Sequence, residues 1–425
     1  MSQAAYSINA HDRHILRELA KHVRELAEGA RNQDLRRRWF AHDEGGCERP
    51  LILTETDGGI RMVLPDFQPR CREGWAQGLE AMFHDWIMHA EVIRDDYPIE
   101  PFAAWQWRVG TSDYGVKVEH TRADAPGGRG AFHIEPPIKD IEKDFARLRP
   151  RTFSVDREGT LAWRATLEEL FDGVIGVRQR GGYYWTLGMT IVAIDLIGLE
   201  QLMLYMYDAP EALHRLMGFL CDDHLAFLGF LEREDLLAPN NENDYTGSGS
   251  RGYTRRLPRP ARPADAPIRT QDLWCLLESQ ETVGVGPELF DEFIFTYQER
   301  IAWRFGAVYY GCCEPVHTRW HVLARMPNLR RVSVSPWCDE AFMAAACAAG
   351  KIVYSRKPNP TWVSTEGFDE AAIRRDLRTT MEQTRRHGCA TEIVMKDVHT
   401  LHGHPDRLTR WVGLAREVSR EVYGD

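Results

Sequence analysis

Apolar and polar positions along this chain repeat in two rhythms. From His11 to Arg38 the apolar residues Ile15, Leu16, Leu19, Val23 and Leu26 recur at helical spacing among charges, which predicts one or two amphipathic helices on the outside of something larger. Pro50 to Glu55, PLILTE, is short, apolar and β-favouring, and lies between a glycine pair and the turn-forming Asp57-Gly58-Gly59; it predicts a first strand. Trp75 to Arg94 predicts another helix. Phe102 to Ile134, rich in Trp and Val, has period-two stretches such as YGVKVEH and a Gly127-Gly128 turn, and predicts a β insertion within residues 101–140.

From Gly159 onward, short apolar runs alternate with longer helical stretches, the signature of βα repetition. Strands are expected at Asp172 to Arg178, Leu236 to Asn240, Asp272 to Ser279, Gly306 to Cys312, Leu329 to Val334, Lys351 to Ser355 and Thr391 to Met395; PLILTE brings the set to eight. Helices are expected at Ile191 to Tyr207, Pro210 to Glu234, Pro287 to Phe305, Val316 to Met326, Asp339 to Ala349, Asp369 to His387 and Asp406 to Val422. No GxGxxG follows the first strand to mark a dinucleotide fold, so the pattern predicts a closed (β/α)8 TIM barrel over an open sheet. The expected organisation is one barrel domain over residues 1–425, with an N-terminal helical extension at residues 1–48.

With 425 residues and 43% hydrophobic content, the chain can bury a large core. Its net charge of −10, with both signs mixed throughout, leaves no basic stripe for nucleic acid. The polar start lacks a signal peptide's apolar core and no stretch is long enough to span a membrane, so a soluble cytoplasmic protein is expected. Nine cysteines without small-domain spacing argue for reduced thiols. The oligomeric state, a homodimer among the options, is left open.

If the fold is a barrel, its chemistry lies at the strand tips. The polar tips are Asn240-Asn241, Glu278-Ser279-Gln280-Glu281, Cys312-Cys313-Glu314, Ser335-Pro336-Trp337, Ser355 to Pro360, and Lys396-Asp397. Thiolate and carboxylate at GAVYYGCCE can share one zinc shell, which makes Cys312, Cys313, Glu314 and Glu278 the metal candidates; a buried thiol pair is the plainer alternative. Strand alternation puts Tyr310, Cys312 and Glu314 on one side. Glu281, Lys396, Asp397 and Tyr310 are the catalytic candidates. Asn240, Asn241, Tyr253, Gln280, Trp337, Arg356, Lys357 and Asn359 are the candidates for substrate contact. The glycine-rich Asn240 to Thr254 loop suits a lid or an anion cradle, and His317 suits core or surface use.

The SQE of Ser279 to Glu281, YGCCEP of Tyr310 to Pro315, MPNLRRVSVSPW of Met326 to Trp337, KPNP of Lys357 to Pro360, EIVMKD of Glu392 to Asp397 and IGLEQLMLYMYDAPE of Ile197 to Glu211 resemble the uroporphyrinogen decarboxylase superfamily. The branch in question includes zinc-dependent, corrinoid-linked methyltransferases. The resemblance implies a barrel, a zinc ion acting as Lewis acid in methyl transfer, and a corrinoid protein docking at the mouth as methyl carrier. The chain departs from that pattern. Tyr310 stands at the position of a histidine ligand, Lys396 and Asp397 stand near a later cysteine ligand, and Cys389 lies before its strand. Only Arg49-Pro50 remains of the arginine-bearing segment that grips porphyrinogen propionates. A second reading is therefore a metal-free decarboxylase or lyase, in which Arg356, Lys357 and Lys396 hold a carboxylated small molecule and Asp397 or Glu281 handles the proton. A third is a barrel that only binds a ligand.

Overall fold

The computed structural model describes residues 6–46, 48–122 and 132–424. The chain forms strands β1 (Leu51–Thr56), β2 (Phe102–Trp105), β3 (Arg108–Thr111), β4 (Glu119–Arg122), β5 (Phe132–Glu135), β6 (Phe153–Asp156), β7 (Gly176–Gln179), β8 (Tyr245–Gly247), β9 (Ser250–Arg251), β10 (Trp274–Leu277), β11 (Ala307–Tyr310), β12 (Leu329–Val334), β13 (Val353–Arg356) and β14 (Thr391–Val398). Six of them make one parallel sheet in the order β1-β14-β13-β12-β11-β10, and β2 pairs in parallel with β7. The α/β alternation expected from the sequence is present, but the ladder is a curled six-strand arc and a two-strand piece, not a closed eight-strand barrel.

Side chains bridge the two breaks in the ladder. Between β1 and the segment before β2, Asp96 N–H donates to Ile52 O at 2.7 Å and the Asp96 carboxylate accepts from Ile52 N at 2.8 Å, while Asp95 accepts from Thr54 N and Oγ1, both at 2.9 Å. At the other break, the Asn240 amide donates to Trp274 O at 3.1 Å and accepts from Trp274 N at 2.9 Å, so a side chain makes the bonds that a strand backbone would. This is why Leu236 to Asn240 is no strand. Pro239 has no N–H to offer, and the ladder passes to the neighbouring amide.

The expected β insertion is divided. β2 belongs to the parallel pair, β3 pairs antiparallel with β6, and β4 with β5 forms a hairpin. The Gly127-Gly128 turn lies outside the described residues. Both N-terminal helices form, Ala10–Glu28 and Ala30–Asp43, the first capped by the Asn9 side chain accepting from Asp12 N. In β14, Ile393 and Met395 pack outward on Leu377 and Trp411 of the C-terminal helices, while Glu392, Val394 and Lys396 face the inside. Among the described residues no single helix is long and apolar enough to cross a membrane; the bent pair Thr190–Ile197 and Leu199–Asp208 meets that test only jointly, across a 91° bend.

The Asn240 to Thr254 segment is not a loose lid. Its hairpin, β8 with β9, is inserted into the arc: a Cβ on Gly247 would lie 2.5 Å from Tyr309 and one on Gly249 2.6 Å from Val394. Below the hairpin, Tyr253 is fully buried against Trp39 and Phe40, and its hydroxyl donates to Glu100.

Candidate active site at the strand tips

Two backbone irregularities build the site. β11 stops at Tyr310 because Gly311 adopts φ 94°, a conformation that glycine takes without strain. The turn sends the Cys312 side chain toward β14 and leaves Tyr310 on the helix side, where its hydroxyl meets Gln298 Oε1 at 3.3 Å. Tyr310 therefore lies away from Cys312, contrary to simple alternation; its inward neighbour Tyr309 holds Ser355 Oγ at 2.9 Å. On β14 the register with β1 shifts between Thr54 and Thr56, which pair with Met395 and Val398. Two residues, Lys396 and Asp397, thus face one, and Asp397 takes φ 58°. The bulge turns both side chains to the same place.

The result is a thiol, ammonium and carboxylate in line. Lys396 Nζ lies 3.7 Å from Cys312 Sγ and 2.7 Å from each Asp397 oxygen. Cys313 Sγ is 3.6 Å from Cys312 Sγ and 3.5 Å from Asp397 Oδ2. The Cys313 hydrogen bond, the Lys396 charge and Ser248 hold the Cys312 thiol below its ordinary pKa, against the opposing effect of burial. The same bond, together with burial, pushes Cys313 up, so Cys313 keeps its proton and donates it. Burial works against the Lys396 ammonium, but Cys312 and Asp397 outweigh it and raise its pKa. Lys357, reaching inward beside Ser355 and over the Tyr309 ring, is pushed down to about 8 by burial, with Glu392 opposing.

A second, acidic group lies on the other side of Cys312. Glu314 accepts from Ser279 N at 2.9 Å and Cys312 N at 2.7 Å, so both its oxygens tie the β10 and β11 tips together. Glu281 accepts from Thr190 Oγ1 at 2.6 Å. Burial first, then Glu281 and Glu314, raise Glu278 well above the carboxylate range, and among the described residues Glu278 Oε1 has no hydrogen-bond partner. Gln280 caps this group through its N–H to Glu278 Oε2 at 3.1 Å.

The other expected contacts fall elsewhere. Arg356 follows Ser355 and so points outward, to Glu340 at 2.9 Å and Asp376 at 3.4 Å. Asn240 bridges strands, Asn241 donates to Leu257 O at 2.8 Å, and Tyr253 is sealed in the interior; none of the three reaches the tips. Asn359 accepts from Thr361 N at 3.0 Å within its own turn. Trp337 stands on the rim, 65% exposed. A cavity of about 470 Å³ lined by Arg37, His42 and Arg49 lies at the opposite, amino end of the strands and holds none of the tip residues.

The donor set does not fit zinc. Among the described residues no group of three or more His, Cys, Asp and Glu side chains is arranged to hold a metal ion. Glu314 is committed to two amides, and the cation beside the Cys312 sulfur is Lys396.

Sequence reasoning missed Glu55, Arg251 and Glu392 as members of this region. Period-two spacing from Lys396 back to Glu392 was a usable signal; the inserted hairpin left none. No protein-family description matches the chain, and no curated protein matches it. Among solved structures it is similar to a methyltransferase from Methanosarcina mazei at 11% identity and a TM-score of 0.48, over 90% of this chain and 98% of that one.

Proposed function

We propose that the chain is an enzyme that carries out group transfer on a small molecule at the strand tips, of the methyltransferase kind implied by the resemblance, with Cys312 and Lys396 as an internal base and acid. The observation that supports this is a thiol held below its ordinary pKa 3.7 Å from a buried ammonium, which Asp397 in turn orients. In methyl transfer the Cys312 thiolate takes the proton of an acceptor thiol or hydroxyl. The acceptor's freed pair forms the new bond to the methyl carbon, the old carbon–heteroatom bond breaks, and the leaving heteroatom takes a proton from Lys396. Proton return from the Cys312 thiol to the Lys396 amine resets the pair. The positive charge that the resemblance assigns to zinc is supplied here by Lys396, and no step is routed through a metal or a corrinoid partner.

A decarboxylase or lyase is the second reading, favoured by Lys357, a buried ammonium that reaches inward beside Ser355 and is pushed down to about 8 by burial. Incubation of the full chain with carbon-13-methyl ethers, thioethers and quaternary amines plus a thiol acceptor, followed by NMR, tests the first reading. Methyl transfer that is lost in both Cys312→Ser and Lys396→Met is the expected result. Carbon dioxide release from carboxylated substrates without methyl transfer would replace the first reading with the second, and ligand binding indifferent to both substitutions would leave only a ligand-binding protein.

A further inference from the structure

Arg251 is built in a way that the reaction proposed above does not use. It pairs across the inserted hairpin with Tyr245, and its guanidinium stacks 4.5 Å from the Tyr97 ring centroid. Nε is shut away from solvent with no hydrogen-bond partner, and among the described residues the side chain has no hydrogen bond or ion pair. A guanidinium carries five donors in a fixed fork, and leaving them unmet in a confined place is costly. Its surroundings are charged: Glu55 and Asp95 act on it, and it acts on Asp85. Its hairpin neighbour Tyr245 lies within electrostatic reach of Glu55 and Lys396, and the Tyr245 hydroxyl lies 3.4 Å from Trp185 Nε1. Trp185 is 45% exposed and Tyr245 39% exposed, so the flat walls of the place open to solvent.

We propose that Arg251 anchors the carboxylate of a small monoanionic substrate, laid against Tyr245 and Trp185 with its reacting end toward Lys396. This rests on the strand tips being the active site. A carboxylate meets the guanidinium fork with two parallel bonds. The three neighbouring acids oppose a second negative charge, which selects a carboxylate over a phosphate dianion. The aromatic walls call for a flat apolar body.

Isothermal titration calorimetry of the full chain with benzoate, benzamide and inorganic phosphate tests the assignment. Benzoate is expected to bind, with benzamide and phosphate at least about tenfold weaker, and Arg251→Gln is expected to weaken benzoate at least about thirtyfold. If Arg251→Gln does not fold, as judged by its melting curve, Arg251→Lys decides, because it keeps the charge but loses the fork and is expected to weaken benzoate about tenfold. Unchanged benzoate affinity in a folded variant, equal affinity for benzamide or phosphate, or no benzoate binding to the wild-type chain each overturns the proposal. The pH profile of Cys312 alkylation in the wild-type chain is read separately. An ordinary thiol profile there defeats the active-site reading without touching the binding result.

Discussion

Replacing Lys396 by Met removes the ammonium while keeping a long apolar stem, and so isolates what the charge does to Cys312. Both side chains are almost fully buried, and Lys396 Nζ lies 3.7 Å from Cys312 Sγ, so a thiolate there would face the ammonium at that distance. At an effective permittivity of about 20 that separation is worth about 4 kcal/mol of attraction. Asp397, bonded to the same ammonium, offsets part of it, and the Cys313 hydrogen bond survives the substitution. A net effect of about 1.5–3 kcal/mol remains, which is a rise of about one to two pKa units in the Cys312 thiol. The assay is the rate of Cys312 alkylation by iodoacetamide as a function of pH, with the modified peptide identified by mass spectrometry. Wild type should titrate below the ordinary thiol range, Lys396→Met about one to two units higher, and Asp397→Asn lower than wild type. Coincident profiles for wild type and Lys396→Met would refute the pairing.

Three further outcomes follow from the packing. Glu314→Gln places an amide donor against one of two backbone N–H groups and should cost about 2–4 kcal/mol in urea unfolding, although the side chain never touches solvent; a cost under about 0.5 kcal/mol would show that the clamp is not made. Gly247→Ala drives a methyl group into Tyr309 and Leu276 and should lower stability by about 2 kcal/mol or more, visible as a depressed melting temperature. His42, buried beside Glu392 and Arg331, is pushed down to about 4 by burial. Its folded pKa lies below its unfolded value, so the unfolded chain binds the proton first. Its contribution, up to about 3 kcal/mol, should be intact above about pH 6.5 and lost as pH falls toward 4. Denaturation of wild type and His42→Gln across that range measures the difference, and a pH-independent gap contradicts the assignment.

Much of the fold was legible because burial writes itself into apolar runs. Leu329–Val334 forms with the predicted bounds, and every other strand of the six-strand arc overlaps its predicted run. Closure was not legible. A proline and an asparagine at the end of Leu236 to Asn240 hand the ladder to a side chain, and no periodicity records that exchange. The site was legible in its residue types more than in its directions. Cys312, Lys396 and Asp397 were named from their strand tips, but that they converge depends on Gly311 at a left-handed φ and on a bulge opposite Glu55. Alternation alone sends Arg356 outward and Lys357 inward, which was readable once the strand was placed. Arg251 was hidden because a hairpin threaded into a sheet looks, in sequence, like a glycine-rich loop.

The cation that the structure places beside the Cys312 sulfur is the Lys396 ammonium. Elemental analysis of the purified full chain, taken alongside Cys312 alkylation at pH 7, tests it most directly. Zinc well below one atom per chain and a Cys312 that is alkylated without a chelator are the expected results. Stoichiometric zinc that disappears in Cys312→Ala, with alkylation only after chelation, would contradict it.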